Sequence, residues 1–394
     1  MSKLLNRGFL TVAIANLLLA LPFYILMIYL PLYLRNGLGI EVSKIGVVLG
    51  MYSLAAVLMR PLAGYLLDRL PRKLVYLSSF TLYTICILLY PLVAGFVGAA
   101  ILRFIHGLGW GGVNTSGSTL AIDSTPLHRR GEGIGLYGIS MSIATLIGPL
   151  IGHALYGFTE SYTFIFVSSF CISAFALLLG STFPSRHTPS ARPHQQPNQQ
   201  KRYPLKHFLT ALLSRKALPA GIFTLVAHIP YGFMTGYIAL YASQLHGGAN
   251  VGLYFTLYAI ATLIARYFSG LIFDRHGAKL LVPTTVSLTA LGFIILGAIP
   301  SQVGLYLAAF PLGIGFGSVM NAGQSIANYK VEERERGRAN STFLTLFDIG
   351  IGIGTFTFGA IIDALGFQPA IYIAAFLHLL SLLPFYLLHT APRD

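Results

Sequence analysis

The sequence predicts an all-α membrane protein in which twelve transmembrane helices form two pseudo-symmetric six-helix bundles. Three observations support this prediction: the composition, the number of long apolar runs, and an internal repeat. Hydrophobic residues make up 55% of the 394 residues and charged residues only 10%, whereas roughly 25% of the residues of a soluble domain are charged. The chain therefore has too few charges to cover a water-facing surface.

Apolar runs long enough to cross a bilayer account for most of the chain. A hydrocarbon core about 30 Å thick requires about 20 apolar residues per helix, and twelve runs meet that length. The first run is too long for the apolar segment of a secretory signal peptide, so we interpret it as the first span. The runs lie at about 9–34, 43–67, 74–95, 97–121, 133–157, 163–183, 217–243, 251–273, 280–299, 302–327, 339–363 and 370–390.

A polar stretch separates the sixth run from the seventh. Residues 184–204 are rich in Pro, Gln, His and Arg and show no apolar periodicity, which is typical of a flexible linker. We expect a short amphipathic helix at 205–213, lying on the cytoplasmic surface. The predicted organisation is an N-terminal six-helix bundle at 1–183, a cytoplasmic linker at 184–216 and a C-terminal six-helix bundle at 217–394.

An internal repeat relates the two halves of the chain. When the sequence is shifted by 206 residues, matching glycines, charges and aromatic residues align without a gap across four spans. Because each half has six spans, both halves have the same orientation and are related by an axis along the membrane normal. The aligned pairs include Gly46 and Gly252, Tyr52 and Tyr258, Arg60 and Arg266, Gly107 and Gly313, and Gly148 and Gly354.

Basic residues are concentrated in alternate connections between the runs. The formal net charge is +14. The odd-numbered connections, counted from the one between the first and second runs, nevertheless contain only two basic residues, Arg35 and Lys44. By the positive-inside rule, this asymmetry places both termini and the even-numbered connections in the cytoplasm, with the protein in the cell membrane. Because the charges are interleaved with apolar spans, nucleic acid is not expected as a partner.

Other sequence features argue against cofactors and catalysis. Cys86 and Cys171 lie inside apolar runs, so neither a disulfide framework nor a zinc site is predicted. The glycines between Gly107 and Gly112 follow no strand and lack the Lys-Ser/Thr of a phosphate-binding loop. The spans contain no HExxH motif and no paired acids. We therefore predict no cofactor, no bound metal and no enzymatic activity.

Two related segments in tight cytoplasmic turns form a predicted cytoplasmic gate. A carboxylate in such a turn can lie against the positive N-terminal end of a neighbouring helix, and the basic residues can reach acids such as Glu332, Glu333 and Glu335. Simple topogenic charge is the alternative, but it does not account for the repeated Asp. The gate residues are Gly64, Asp68, Arg69, Lys73, Gly270, Asp274, Arg275 and Lys279.

These turns resemble the loop signature of the major facilitator superfamily. The segment from Arg103 to Gly109 is similar to the family's fourth-helix pattern, and Gly148, Pro149 and Gly152 resemble the antiporter motif of its drug:proton antiporter branch. The sequence departs from that branch in having His153 after Gly152 and no acid in the first span. The resemblance implies a secondary transporter that works by alternating access as a functional monomer, with a small-molecule substrate, protons and membrane lipids as partners.

Three ionisable residues inside the spans are candidates for proton coupling. Arg103 and His106 share one face of the fourth span, and Asp348 is the only acid deep in a span. A carboxylate withdrawn from water can exchange protons near neutral pH. For Asp348 we weigh proton coupling or substrate contact against a structural hydrogen bond. For Arg103 the alternatives are an anionic substrate group, the tuning of a nearby protonatable site, and a structural bond to backbone carbonyls.

The resemblance implies that the first, fourth, seventh and tenth spans line a central cavity. Aromatic walls with scattered amides favour amphipathic or weakly polar molecules, although some of these side chains are expected only to pack between helices. Glycines of the fifth and eleventh spans are expected to permit contact between the halves. The candidate cavity residues are Asn16, Tyr24, Arg103, Trp110, Asn114, His228, Tyr231, Tyr237, Asn321 and Gln324.

The predicted function is proton-coupled efflux of small amphipathic molecules or drugs. The sequence has no nucleotide-binding motif, so an ion gradient or the substrate's own gradient must supply the energy. One alternative is a dedicated exporter of a specific metabolite, sugar or metal-chelating small molecule. A more remote alternative is a membrane receptor that does not transport.

Overall fold

The computed structural model describes residues 5–126, 130–184, 214–245, 250–328, 331 and 336–388, without the side chains of residues 68, 130–132, 134, 135, 142, 274 and 336–338. Twelve helices in this part of the chain are long and apolar enough to cross a membrane, and the described residues contain no strand. These observations confirm the predicted all-α fold class. The predicted linker at 184–216 lies almost entirely outside the described residues, so the domain boundaries stay predictions.

Six helices precede the predicted linker. They are α1 (Arg7–Leu32), α2 (Val42–Arg69), α3 (Arg72–Leu89), α4 (Gly95–Asp123), α5 (Arg130–Thr159) and α6 (Tyr162–Ser181). Short turns extend two of them, from Tyr33 to Gly37 after α1 and from Tyr90 to Leu92 after α3. The helical part of the third span therefore ends before the predicted run at 74–95 does.

Six spans follow the linker. They are α7 (Leu218–Gln244), α8 (Val251–Phe273), α9 (Arg275–Ala298), α10 (Gln302–Asn328), α11 (Arg336–Leu365) and α12 (Phe367–Leu380), with α13 (Leu382–Leu388) continuing the last span. Helical hydrogen bonding runs from α8 into α9, and the chain changes direction at Gly277, where φ is 71° and ψ is −177°. This conformation is accessible almost only to glycine, which explains the residue at the turn.

Side-chain caps explain where three of the helices begin. Asn6 accepts a hydrogen bond from the backbone N–H of Phe9 at 2.9 Å, and Asn250 accepts one from Leu253 at 2.9 Å. Ser161 has the same role before α6. Each cap satisfies one N–H of the first turn that has no partner within the helix, and its removal costs about 1 kcal/mol.

The alternating direction of the spans defines two ends of the bundle. The start of α1, the ends of α2, α4, α6, α8 and α10, and the starts of α3, α5, α7, α9 and α11 lie at one end, which we call the terminal face. The opposite ends of these helices lie at the other end of the bundle, which we call the distal face. A contact placed near the start of α2 or the end of α11 is therefore a contact at the distal face.

Contacts within each half are more numerous than contacts between the halves. In the first half, α1 packs against α5 and α6, and α4 packs against α2 and α3. In the second half, α7 packs against α11 and α12, and α10 packs against the helical stretch formed by α8 and α9. The halves meet mainly through α2 with α11, α5 with α8, and α1 with α7. The site is consequently framed by two bundles that share few helix pairs.

Candidate substrate cavity

The two halves approach each other closely along α2 and α11. A Cβ atom on Gly46 would lie 2.6 Å from the carbonyl oxygen of Thr355, and one on Gly359 would lie 3.0 Å from the carbonyl oxygen of Val42. A side chain does not fit at either spacing without displacing backbone, so the glycines permit this contact. We call the α2–α11 contact that runs from Val42 and Gly359 to Arg60 and Asp348 the inter-half seam.

A second contact joins α5 and α8 at the same end of the bundle. A Cβ atom on Gly252, the second residue of α8, would lie 2.6 Å from the Cβ of His153. Further from the distal face, Thr145 of α5 and Arg266 of α8 line one small gap. Both inter-half contacts therefore bring the halves together at the distal face.

One ion pair crosses the inter-half seam. Nη2 of Arg60 in α2 contacts Oδ2 of Asp348 in α11, and the two side chains are 19% and 17% exposed. Asp348 lies twelve residues after Arg336, or about 18 Å along a helix that rises 1.5 Å per residue. The pair therefore lies deep in the membrane span, where a charged side chain requires a partner or water.

The first half contributes a group of aromatic rings from α1, α2 and α4. Phe23 stacks on Trp110 with ring centroids 4.5 Å apart and an interplanar angle of 10°, and Tyr24 lies edge-on to Phe23 at 5.1 Å. Tyr52 lies 5.9 Å from Phe23 and is eight residues before Arg60 on α2. We call Phe23, Tyr24, Tyr52 and Trp110 the first aromatic cluster.

The second half contributes a comparable group. His228 and Phe347 lie 4.6 Å apart, and Tyr231 and Phe316 lie 5.0 Å apart, with the ring of His228 5.8 Å from that of Tyr231. The Nδ1 of His228 also hydrogen-bonds to the carbonyl oxygen of Thr224 at 2.8 Å. We call His228, Tyr231, Phe316 and Phe347 the second aromatic cluster. Phe347 directly precedes Asp348 on α11, and Tyr52 lies on the same helix as Arg60, so each helix of the ion pair also carries a ring of one cluster.

Arg103 and His106 lie together in a buried cluster of the first half. Nη1 of Arg103 donates to Tyr90 Oη at 3.3 Å, and Tyr90 Oη hydrogen-bonds with His106 Nδ1 at 3.0 Å. The guanidinium carbon of Arg103 lies 4.0 Å from the ring centroid of Tyr52. Arg103 is 7% exposed and His106 1%, and neither Arg103 Nε nor His106 Nε2 has a hydrogen-bond partner among the described residues.

The predicted polar cavity residues have different surroundings. Asn16 is buried and donates to Ser140 Oγ of α5 at 2.5 Å, whereas Asn114 is half-buried. Asn321 donates to Ser269 Oγ of α8 at 3.0 Å, and Gln324 to Asn340 Oδ1 of α11 at 2.8 Å. Tyr237 is fully buried and donates to the carbonyl oxygen of Thr355, which places it against the inter-half seam.

The predicted gate residues are described only in part. Lys73 Nζ donates to the carbonyl oxygen of Phe183 at 2.8 Å, and the guanidinium of Arg69 lies 4.0 Å from the ring centroid of Tyr65. Arg275 and Lys279 are exposed. A Cβ atom on Gly64 or Gly270 would meet no atom within 4 Å. Outside what the structure describes are the side chains of Asp68 and Asp274, and residues Glu332, Glu333 and Glu335.

The antiporter-motif glycines do not lie between the halves. A Cβ atom on Gly148 would lie 2.8 Å from the Cβ of Tyr24, and one on Gly152 would lie 3.0 Å from Cε2 of Tyr29. Both partners belong to α1, so these glycines and the intervening Pro149 belong to the α1–α5 contact within the first half. The expectation that they serve the contact between halves was wrong, because the face of a helix that meets each neighbour depends on tertiary packing.

Two ion pairs contain residues to which the sequence assigned no role. Arg60 was recognised only as one member of the internal repeat, although a charged residue inside an apolar run is itself a signal of function. The second pair joins Arg72 at the start of α3 to Asp123 at the end of α4. Among the described residues, no group of three or more His, Cys, Asp or Glu side chains is arranged to hold a metal ion.

Comparison with known proteins identifies a family and several bacterial relatives. The family model described as "Major Facilitator Superfamily" matches residues 12–249 and 222–394. The chain is 26% identical over 381 residues to the Staphylopine export protein of Staphylococcus aureus (strain Mu50 / ATCC 700699), covering 94% of this chain and 93% of the relative. It is also 26% identical to the Multidrug resistance protein MdtG of Enterobacter lignolyticus (strain SCF1), covering 90% and 85%.

Further matches extend over most of the chain. The Quinolone resistance protein NorA of Staphylococcus aureus (strain MRSA252) is 23% identical and covers 88% of this chain and 87% of its own. Among solved structures, a bacterial homologue of the lysosomal transporter Spinster superimposes with a TM-score of 0.79 at 14% identity, covering 96% and 95%. The nucleoside transporter NupG superimposes with a TM-score of 0.72 at 19% identity, covering 97% and 99%.

Proposed function

The chain belongs to the major facilitator superfamily, and from this premise we propose that it exports small amphipathic molecules or drugs in exchange for protons. It is a multi-pass membrane transporter of that superfamily, with a small-molecule substrate. The observation that carries the export proposal is the full-length similarity to three bacterial proteins named for export or drug resistance.

The charge distribution supports an orientation that suits export. We propose that the protein lies in the cell membrane, and the positive-inside rule supports a cytoplasmic terminal face. The halves meet at the distal face, so the cavity between them would open toward the cytoplasm in this state. An exporter takes up its substrate in such a state, and rocking of the two halves would then expose the cavity to the outside.

Asp348 is the residue that we assign to proton coupling. Asp348 lies deep in the span and forms an ion pair with Arg60 of the other half. A proton on its carboxylate would remove the negative charge on which this ion pair depends. We assign Arg103 and His106 to a second coupling cluster, because Tyr90 Oη links them through hydrogen bonds. In this cluster we assign the exchange of a proton to the imidazole of His106.

The remaining predicted residues receive supporting roles. The residues of the cytoplasmic gate would close the terminal face when the distal face opens, and Lys73 already holds the start of α3 against the end of α6. The cavity residues would contact the substrate, with the two aromatic clusters supplying apolar walls. We further propose that a single chain, surrounded by membrane lipids, is the functional unit.

A dedicated exporter is the second candidate function. Its substrate would be a specific metabolite, a sugar or a metal-chelating small molecule. The observation that favours it is the 26% identity to the Staphylopine export protein over 94% of this chain. A receptor that does not transport is a third and more remote candidate, and measurable substrate flux in proteoliposomes would exclude it.

Efflux from cells tests the export proposal. Cells that express the protein are loaded with cationic, neutral, anionic and zwitterionic fluorescent dyes, and efflux is followed with and without a proton uncoupler. We expect uncoupler-sensitive efflux, and its breadth across the panel separates a multidrug exporter from a dedicated one. Absence of efflux for every dye class would contradict multidrug export and would favour the dedicated exporter.

Two matched substitutions on α11 test the role of Asp348. Asp348→Asn keeps the shape of the side chain but removes the exchangeable proton, so we expect loss of pH-gradient-driven flux in proteoliposomes. Asp363→Asn is the control, since Asp363 is exposed near the end of the same helix. Coupled flux that persists unchanged in Asp348→Asn would rule out Asp348 as the coupling residue.

A further inference from the structure

The ion pair in the inter-half seam is charged, deep in the span and partly accessible. About a fifth of each side chain of Arg60 and Asp348 is exposed. An ionised group inside a membrane span is tolerated where it faces protein or a water-filled cavity rather than lipid. The exposed part of the pair is therefore expected at the point where the seam ends and the cavity begins.

The pair has hydrogen-bonding capacity that the protein does not use. Nε of Arg60 is buried and has no hydrogen-bond partner among the described residues. Oδ2 of Asp348 contacts the guanidinium as an ion pair, but it too has no partner with hydrogen-bond geometry in the described part of the chain. Both atoms are buried while the pair is closed, so a ligand that offers the complementary groups would satisfy them only as the pair opens.

The internal repeat shows that this pair is not a requirement of the scaffold. Arg266 occupies the position in α8 that corresponds to Arg60, but the position in α5 that corresponds to Asp348 is Ser142. The repeated positions therefore share the Arg but not the acid. The carboxylate is thus a feature of the second half and not of the repeat.

From these observations we propose that Arg60 and Asp348 form the recognition site for a zwitterionic substrate, with Arg60 binding its carboxylate and Asp348 binding its ammonium group. The inference rests on the proposed export function and adds the chemical class of the substrate. The first and second aromatic clusters, which include residues of the same helices α2 and α11, hold the apolar or aromatic part of the same molecule.

Electrostatics make the pair selective for a zwitterion over a simple cation or anion. A cation that binds Asp348 leaves Arg60 without a partner, and an anion that binds Arg60 leaves Asp348 without one. An unpaired charge deep in the protein is strongly unfavourable. A zwitterion replaces both partners at once, so each protein charge is still paired, and the unfavourable state is avoided.

Replacement of the pair by substrate also separates the halves. In the absence of ligand, the ion pair joins α2 to α11 directly. When each side chain instead binds the ligand, that direct link between the halves is gone. Recognition of a zwitterion thus removes a contact at the inner end of the inter-half seam, and this links substrate binding to the conformational change.

A matched trio of compounds tests the proposal by binding alone. The probes are L-tryptophan (zwitterion), its methyl ester (cation) and N-acetyl-L-tryptophan (anion), each titrated to millimolar concentration against purified protein. Apparent Kd is taken from the ligand-dependent rise of the melting temperature. We expect L-tryptophan to bind at least about tenfold more tightly than either derivative.

Single substitutions should exchange one preference for another. Arg60→Gln leaves Asp348 alone, so the methyl ester should become the preferred probe. Asp348→Asn leaves Arg60 alone, so N-acetyl-L-tryptophan should become preferred. The double exchange Arg60→Asp with Asp348→Arg restores both charges and should restore the preference for L-tryptophan. Lys44→Gln removes an exposed cation of the same helix α2; it is the control and should leave the order unchanged.

The opposite results are equally clear. Equal affinity for the three probes, or no stabilisation by any of them, would overturn the proposal, because a site that pairs a carboxylate and an ammonium group at once should bind an aromatic amino acid at millimolar concentration. A preference that survives both single substitutions would overturn it as well. The measurement needs neither a proton gradient nor flux, so its failure would leave the export proposal intact, and failed efflux would not alter its result.

Discussion

Arg103 carries a positive charge that is nearly withdrawn from water. The structure compensates it with the face of Tyr52 and the hydroxyl of Tyr90, and no carboxylate pairs with it in the described part of the chain. A cation over an aromatic ring gains about 2 kcal/mol when desolvated. The charge of Arg60 is instead compensated by a carboxylate of the opposite half, that of Asp348. Two arginines of one bundle therefore have different chemistry because their neighbours differ.

Trp110 is the residue with the clearest predicted effect on substrate affinity. Its stack on Phe23 presents a flat aromatic wall at 4.5 Å ring spacing. We expect Trp110→Ala to raise the apparent KM for an aromatic efflux substrate about tenfold, because aromatic pairing contributes about 0.5–1.5 kcal/mol beyond the buried area. Trp110→Phe retains a ring and should retain most of the affinity.

The melting temperature separates this effect from a structural one. Both variants are compared at equal expression, with KM and kcat of efflux measured alongside thermal unfolding. Equal losses of kcat in the Ala and Phe variants, with KM unchanged and a lowered melting temperature, would mean that Trp110 only supports the packing of α4.

At the scale of helices, the glycine positions determine which helices come close. Gly46 and Gly359 let α2 and α11 touch, whereas Gly148 and Gly152 fit α5 against α1. On α11, Gly352 faces Ser53 of the other half, but a Cβ atom on Gly350 would meet the backbone of Leu225 on α7. Glycines two residues apart on one helix thus serve contacts with different halves.

A methyl group at Gly46 should prevent full closure of the seam. The added Cβ of Gly46→Ala would meet Tyr237 Oη and the carbonyl oxygen of Thr355, and overpacking of this kind costs about 1–3 kcal/mol. We expect the initial rate of uncoupler-sensitive efflux to fall about tenfold, since about 1.4 kcal/mol corresponds to a factor of ten.

Gly138→Ala provides the matched control for that experiment. A Cβ atom at Gly138 would meet no atom within 4 Å, so the efflux rate should stay near that of the unmodified protein. If Gly46→Ala exports as fast as Gly138→Ala, closure of the inter-half seam is not part of the transport cycle.

At the scale of the whole molecule, the two halves behave as bodies joined by a few helix pairs. The described inter-half contacts are mainly those of α2 with α11, α5 with α8, and α1 with α7. The close contacts at Gly46, Gly359 and Gly252 lie toward the distal face. Rigid-body rocking requires that these contacts open while packing within each half persists.

A disulfide across the seam should stop this motion. A Cβ atom on Gly50 would lie 3.5 Å from the Cβ of Phe356, which is within the range of disulfides, about 3.5–4.5 Å. In a background with Cys86→Ser and Cys171→Ser, we expect oxidised Gly50→Cys with Phe356→Cys to lose flux in proteoliposomes. A reductant should restore the flux.

A disulfide inside one half serves as the control for cross-linking. Thr84 of α3 and Ser173 of α6 hydrogen-bond through their hydroxyls at 2.7 Å, so Thr84→Cys with Ser173→Cys joins two helices of the first half. This bridge should leave flux unchanged. Full transport by the oxidised Gly50→Cys with Phe356→Cys protein would contradict a rocking motion that separates α2 from α11.

The sequence by itself determined the fold class, the number of spans and the repeat, because these follow from apolar run length and a constant offset between equivalent residues. It also singled out Asp348, since an acid deep in an apolar run is detectable without coordinates. Local sequence is sufficient for such features because the bilayer imposes the same length and polarity on every span.

Tertiary structure alone decided the partners. Asp348 meets Arg60 from a span 288 residues earlier in the chain, Arg103 lies among tyrosines rather than acids, and the antiporter-motif glycines face α1. Each outcome depends on how each helix is rotated about its axis and on which helix it packs against. Those rotations depend on packing between distant segments, and no single helix sequence contains that information.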